Sequence, residues 1–356
     1  MRKSVLSLLI LIILLGSCID TIDLELPENK VGRIVVAGSV VRSPDDYVFR
    51  AAVRRTVQVV DEFVFELDEA NISILFNGNE VLSLSNNDPL QMGVEQFHSD
   101  FGGTPENAVF RLRAEVSDGR ILESADQKIL NPPTETSLEV GLDTRLFTNE
   151  SDNIVERTFV ELFINSPLEN EQGERLSFLW EVSGVYSFPE ITWTDNPFWF
   201  GSLCYIPAPP LLNEVNVVSS SDINTSELVR FKINEKQADF KYYNGYYYTV
   251  VLKAIDDSAA EYWKEVASSI KRDGTLFDTP PGKVRTNLQN VNDALDNQVL
   301  GYFYAAGIDT VRHLATPSET GFQRHLCNPL DTIPVPCCDC INGFRNSTLN
   351  KPSYWK

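Results

Sequence analysis

Residues 109–116 read Val-Phe-Arg-Leu-Arg-Ala-Glu-Val, apolar and polar in turn, and Asp118-Gly119 then bends the chain into Ile121-Leu122. A period of two places successive side chains on opposite faces of an extended chain, so this stretch predicts two paired strands. Short β-rich runs also occur at Ile34-Val35-Val36-Ala37, Tyr47-Val48-Phe49 and Ile72-Ser73-Ile74-Leu75-Phe76. The last meets Asn77-Gly78 and continues into Val81-Leu82-Ser83-Leu84, the pattern of a tight hairpin. No helical period intervenes, and short turns separate the strands. Residues 32–133 therefore read as a small β-sandwich. Asn131-Pro132-Pro133 is a stiff break and marks a domain boundary.

The region 134–356 continues in strands. Thr158–Ile164 is one, and Leu176, Phe178, Trp180 and Val182 share a face of another. Val229, Phe231 and Ile233 alternate with Arg230 and Lys232, and a second Asn-Gly hairpin is expected at Asn244-Gly245, running into Val250-Val251-Leu252. One helix interrupts the pattern, over 259–271. Tyr262, Val266 and Ile270 recur at spacings of four with Trp263 beside them. Ser258 and Glu261 form a capping-box signature, and Gly274 suits the C-terminal cap. The expected architecture is all-β, with a second, larger sandwich-like domain carrying one packed helix.

The first residues follow another logic. Met1-Arg2-Lys3 precedes an apolar run from Val5 to Leu15, broken by Ser7 alone, and then Leu15-Gly16-Ser17-Cys18. Basic residues, a short apolar segment and small residues before a cysteine form a secretion signal, too short for a membrane span of ~20 residues. The cysteine context resembles the bacterial lipobox. That resemblance implies cleavage after Ser17 and lipid on Cys18, leaving 18–31 as an acidic tether with Asp20, Asp23, Glu25 and Glu28. A dozen extended residues reach ~40 Å. The acids after the cysteine are similar to a surface-export signal, although they are spaced rather than contiguous.

Charge sharpens this picture. The chain of 356 residues carries a formal charge of −20, and losing Arg2 and Lys3 takes the body to −22. Such a body repels nucleic acid and anionic headgroups, so acyl chains must hold it on a bilayer. Export also favours disulfides. Besides Cys18 there are Cys204, Cys327, Cys337, Cys338 and Cys340, an odd number that leaves one thiol without an intramolecular partner. Cys337-x-x-Cys340 has the spacing of a zinc ligand pair, but no second pair stands near, so disulfide staples joining Cys204 to the tail are expected and no metal or cofactor is.

Catalytic signatures are sparse. His98, His313 and His325 are the only histidines, and each reads as structural. Ser268-x-x-Lys271 and Ser151-Asp152-Asn153 lie in the wrong order for a penicillin-recognising serine enzyme and lack its Lys-Thr-Gly. The best binding candidate is the aromatic, proline-broken stretch 188–200, with Trp193, Asp195, Asn196, Phe198 and Trp199. Aromatic faces beside an acid and an amide suit a glycan or a partner protein, and rings folded back as a lid are the alternative. The cluster Tyr242–Tyr248 reads as a hairpin with alternate faces buried.

Several segments in order carry a family resemblance: Ile34-Val35-Val36-Ala37-Gly38, Phe110-Arg111-Leu112-Arg113 with Asp118-Gly119-Arg120 and Glu123-Ser124, and Tyr262-Trp263. Gly274-Thr275-Leu276-Phe277-Asp278, Pro280-Pro281, Leu300-Gly301-Tyr302-Phe303 and Pro352-Ser353-Tyr354-Trp355 complete it. Over nearly the whole mature chain the sequence resembles the bacterial outer-membrane lipoproteins grouped as domain of unknown function 4249. The resemblance implies an immunoglobulin-like N-terminal domain, a larger β-rich domain and genes beside TonB-dependent receptors. It carries no catalytic residues. The expected function is a non-catalytic outer-membrane lipoprotein, surface-facing by preference, accessory to such a receptor and engaging it or presenting a glycan or peptide cargo. A surface glycan- or ligand-binding module is the alternative, and a hydrolase without a recognisable motif the third reading.

Overall fold

A computed structural model describes residues 33–43, 47–56, 70–85, 93–97, 109–191, 201–210, 214–270, 284–293, 299–327, 337 and 339–355. The signal segment, Cys18, the tether, His98, Trp193, Asp195, Asn196, Phe198, Trp199, Gly274 and Cys338 lie outside the described residues.

The fold is all-β and sandwich-like. Its widest sheet runs in the order β12 (Leu203–Ala208), β11 (Ser177–Pro189), β15 (Tyr246–Ile255), β17 (Leu300–Ala315), β1 (Ile34–Arg42), β2 (Tyr47–Arg55) and β5 (Gly93–Phe97), with β13 (Asn216–Val218) on β11. A second sheet orders β16 (Leu288–Asn290), β7 (Ile121–Ser124), β6 (Val109–Val116), β3 (Ala70–Phe76) and β4 (Asn79–Ser85), and β8 (Gln127–Lys128) pairs with β6. The third holds β14 (Glu227–Gln237), β10 (Ile154–Pro167) and β9 (Ser137–Thr148).

The wide sheet backs two cores. Ile34, Val36, Phe49 and Phe303 pack against Phe110 and Leu112 of the second sheet. Phe178, Trp180, Val250 and Leu252 pack against Val160, Leu162 and Ile164 of the third. Each such side chain taken from water contributes ~1.5–3 kcal/mol. β17 links the halves. Its first half pairs in parallel with β1, and its second half pairs antiparallel with β15. The sheet is thus continuous across Asn131-Pro132-Pro133, and Gly307 N–H, in mid-β17, donates to Leu130 O at 3.1 Å. At Gly301 (φ +98°) the backbones come so close that a Cβ would sit 1.9 Å from Val36 O. Glycine is required there on both counts.

Local expectations meet mixed outcomes. The Asn77-Gly78 turn joins β3 to β4 with both φ angles positive, 48° and 82°, as a type I′ turn demands. The second Asn-Gly does not make a hairpin. Phe240–Tyr242 is a 3-10 turn, and Asn244-Gly245 leads from it into β15, whose partners are β11 and β17. Val229 is exposed and Leu228 buried, because Arg230 takes a positive φ of 44° and the β10–β14 register slips between Ile164 and Ser166.

The helix, α1 (Asp257–Ile270), begins earlier than its signature suggests. Asp256, not Ser258, caps it: its Oδ1 accepts Ala259 N–H at 2.7 Å. Ala259 and Ala260 are buried, Tyr262 stacks on Tyr302 at 4.8 Å, and Trp263 meets Tyr304 edge-on. The helix covers the outer face of the wide sheet. Ile270, at the end of the expected stripe, is exposed. A second helix, α2 (Cys340–Gly343), is a single turn capped by Asp339.

Strand direction gives the molecule two ends. β1 starts beside the start of β17, with Val35 opposite Leu300. β17 finishes at Ala315 opposite Tyr246, and Tyr246 lies opposite Tyr186, three residues before the end of β11. Fifteen residue steps at ~3.3 Å span roughly 50 Å. Arg33 therefore lies at one end, called here the near end, and the last β11–β12 pair, Pro189 opposite Leu203, lies at the far end.

Candidate functional site at the far end

The β11–β12 connection is built from a short ladder. Tyr186 to Pro189 pair with Ile206 to Leu203, and Glu190 N–H donates to Ser202 O at 2.9 Å. Ile191 N–H then reaches Cys337 O at 2.8 Å. The stems of 192–200 are thus fixed on both sides, although the candidate residues Trp193, Asp195, Asn196, Phe198 and Trp199 themselves lie outside the described residues.

Two disulfides hold these stems. Cys204 pairs with Cys340 and Cys327 with Cys337, at Cα separations of 6.1 and 5.8 Å. The staple between Cys204 and the tail expected from the sequence is present, and Cys338 lies outside the described residues. Glu190, Cys204 and Cys340 place one carboxylate oxygen and two sulfurs within 4.8 Å of one another. The sulfurs are bonded to each other. Glu190 Oε1 accepts Cys340 N–H and its Oε2 accepts Ser202 N–H. In this oxidised state the trio is a joint between hairpin and tail, and the carboxylate alone would make a poor metal site.

His325 closes the same joint. Its Nε2 bonds Pro189 O at 2.9 Å, and its Nδ1 accepts Cys327 N–H at 3.0 Å. Nε2–H donation fixes a neutral tautomer. The ring packs on Phe188 at 4.7 Å and Tyr243 at 4.9 Å. His313 bonds Glu319 through Nε2 at 3.1 Å. Burial raises the Glu319 pKa, but bonds from Thr316 and the neighbouring His313 outweigh it and leave the carboxyl below its ordinary value.

Beneath the joint lies an aromatic plug. Phe188, Phe240 and Phe344 meet at 4.9–6.4 Å. Tyr242 and Tyr248 share a hydroxyl contact of 2.6 Å, and Lys236 Nζ donates to Tyr246 Oη at 2.9 Å. Burial pushes Tyr186 and Tyr248 up to about 12, raises Tyr242 and Tyr246 as well, and lowers Lys236. These phenols stay protonated at any physiological pH. The phenols of the group are thus uncharged at the far end.

Sequence reasoning missed the tail's role. Thr348 bridges to Tyr205, and Trp355 packs on Tyr205 at 5.1 Å and on Tyr247 at 5.4 Å. Tyr354 meets Tyr247 at 5.0 Å, and Arg312 lies over the Tyr354 ring at 4.7 Å. Pro352-Ser353-Tyr354-Trp355 is thus a clasp on the hairpin. Its aromatic density was the available signal.

The two ends differ in what they show to solvent. Of the twelve exposed large apolar side chains among the described residues, nine stand at the far end, against Val229, Ile270 and Val291 elsewhere. Exposed apolar side chains are thus concentrated at the far end. No curated protein and no solved structure matches the chain. The model of the domain of unknown function DUF4249 matches residues 19–312, and the chain belongs to that family.

Proposed function

We propose that the protein is a non-catalytic lipoprotein of the bacterial outer membrane, anchored by lipid on Cys18 and accessory to a TonB-dependent receptor. The near end faces the bilayer, and the far end engages the receptor or presents its cargo. One observation carries the reading: residue 33, toward which Cys18 leads, and the stapled β11–β12 connection sit at opposite ends of strands ~50 Å long. Anchoring confines the body to two dimensions and raises its effective concentration near a membrane partner. The body's charge of −22 without residues 1–17 leaves that work to acyl chains.

The test is extraction of the native protein in gentle detergent, with a palmitate analogue as label. Label on Cys18 and receptor-dependent co-purification, both lost in Cys18→Ser and the second weakened in Trp193→Ala/Trp199→Ala, support the proposal. A Cys18→Ser protein that still fractionates with the outer membrane defeats the anchor. Polysaccharide affinity that vanishes in the tryptophan variants, with no receptor retained, would favour the glycan-binding alternative.

A further inference from the structure

The third sheet outruns the wide sheet on which it packs. β14 stops with Gln237 opposite Phe159, while β9 and β10 pair onward to Thr148 opposite Ile154. Residues 143–148 and 154–159 therefore form a two-stranded ribbon, ~20 Å long, beyond the far end. Lys236, one pair below its root, already bonds Tyr246 in the last β15–β17 pair, while on the other edge β11 and β12 pair onward to Pro189 opposite Leu203.

The ribbon's two faces are unequal. On the outward face Phe147 and Phe159 meet at 5.7 Å, Arg157 lies over Phe147, and Arg145 lies over Phe159 while bonding Glu235 at 2.7 Å. That face covers itself. The inward face continues the row of Val160, Leu162 and Ile164, which is fully buried lower down. Toward and past the end of the wide sheet the same face carries Leu142, Leu146 and Ile154, exposed by 44, 72 and 73%, interleaved with Thr144, Thr148, Glu156 and Thr158. A Cβ at Gly321 would lie 3.3 Å from Leu142, and the next residue, Phe322, is 74% exposed with φ +49°. A phenylalanine held out in water in the left-handed region is costly on both counts.

Charge selects the occupant. Glu156 projects from the bare face opposite Leu146, and Glu150 and Asp152 sit at the tip. Among the described residues none of the three has a cation at ion-pair distance. A second copy would bring the same acids and a net −20, and an anionic bilayer is repelled in the same way. The edge of β10 from Ile154 to Arg157 also lacks a partner strand among the described residues, in line with the end of β14.

We infer that the ribbon is a docking site for an extended segment of a partner protein in which every second residue, on one face of the segment, is either apolar or a Lys or Arg, both kinds being present on that face. The segment adds to the free edge of β10, its apolar side chains cover Leu146, Ile154 and Phe322, and its cations meet Glu156 and the acidic tip. The inference deepens the far-end reading and rests on it only for where the partner stands.

The experiment places the photo-crosslinker benzoylphenylalanine at Leu146, at Ile154 or, as control, at Val291 in the full-length protein in intact cells. The crosslinked peptides are then identified by mass spectrometry. The expected result is an adduct at the two ribbon positions, about tenfold above the control, on a protein segment that carries apolar and basic residues together at alternate positions, on one face. Glu150→Lys/Asp152→Lys/Glu156→Lys should lower it by about tenfold. All these side chains are exposed, and an unchanged melting curve verifies the fold. No adduct above control, an adduct on a second copy or on lipid, or a segment without apolar and basic residues on one face overturns the inference. A segment of that pattern from a protein other than a receptor sustains the inference while defeating the receptor proposal.

Discussion

Loss of the Cys204–Cys340 bridge should cost markedly more than loss of Cys327–Cys337. The bridges close loops of very different length, with separations of 136 and 10 residues. In the chain-entropy description the longer closure removes unfolded-state freedom equivalent to ~5 kcal/mol, and the shorter ~2.7 kcal/mol. The short loop is nested in the long one and shortens it by only ten residues, which changes its closure by ~0.1 kcal/mol. The predicted gap is therefore ~2 kcal/mol, some thirtyfold in the folding equilibrium. The long bridge also anchors α2 and the clasp on Tyr205 and Tyr247, whose loosening would widen the gap. The assay is equilibrium guanidinium unfolding of Cys204→Ser/Cys340→Ser and Cys327→Ser/Cys337→Ser, each in a Cys338→Ser background to prevent exchange. Equal losses, or a greater loss from the short loop, would refute the reasoning.

Three further outcomes follow from particular atoms. Gly301→Ala meets Val36 O and a positive φ together, so it should cost ~3 kcal/mol or more in denaturant unfolding; Gly78→Ala, with φ +82° and open space, should cost ~1 kcal/mol. Asp256→Ala should cost ~1 kcal/mol and Ser258→Ala less than half of that, because only Asp256 caps α1. Bonds from Arg145 and then Lys232 hold Glu235 down at about 2, well below its ordinary value. A depressed carboxylate stabilises the fold above its unfolded pKa of 4.5 and loses that contribution as pH falls toward about 2. Acid titration should therefore show a shallower loss of stability between those values in Glu235→Gln than in the wild type.

The strands were legible because burial on one face imposes a period of two, and Leu176, Phe178, Trp180 and Val182 all point into the core as that period requires. Turn chemistry was legible where a sequence suits one conformation, as at Asn77-Gly78. It misled at Asn244-Gly245, where the preceding tyrosines are claimed by a 3-10 turn and an aromatic plug that no local pattern announces. The phase of β14 was hidden because a single residue, Arg230, shifts the register and exchanges Leu228 for Val229. The parallel pairing of β1 with β17 joins residues some 265 apart and leaves only Gly301 as a trace. Disulfides between Cys204 and the tail could be expected if the chain is exported, but their pairing depends on the three-dimensional path. The bare ribbon was invisible for a similar reason: Leu142, Leu146 and Ile154 obey the rule for core residues, and only the length of the opposing sheet leaves them uncovered.

The central claim is that the anchor and the contact surface occupy opposite ends of the molecule. Its most direct measurement is energy transfer from a donor on the lipidated, Cys338→Ser protein to acceptors in the headgroups of a reconstituted bilayer. Ser117→Cys places the donor beside the near end, where Asp118 pairs with Arg55, and Ser151→Cys places it on the tip of the ribbon. Strong transfer from residue 117 and several-fold weaker transfer from residue 151 is the predicted result. Equal transfer from both, or the reverse order, would contradict the account.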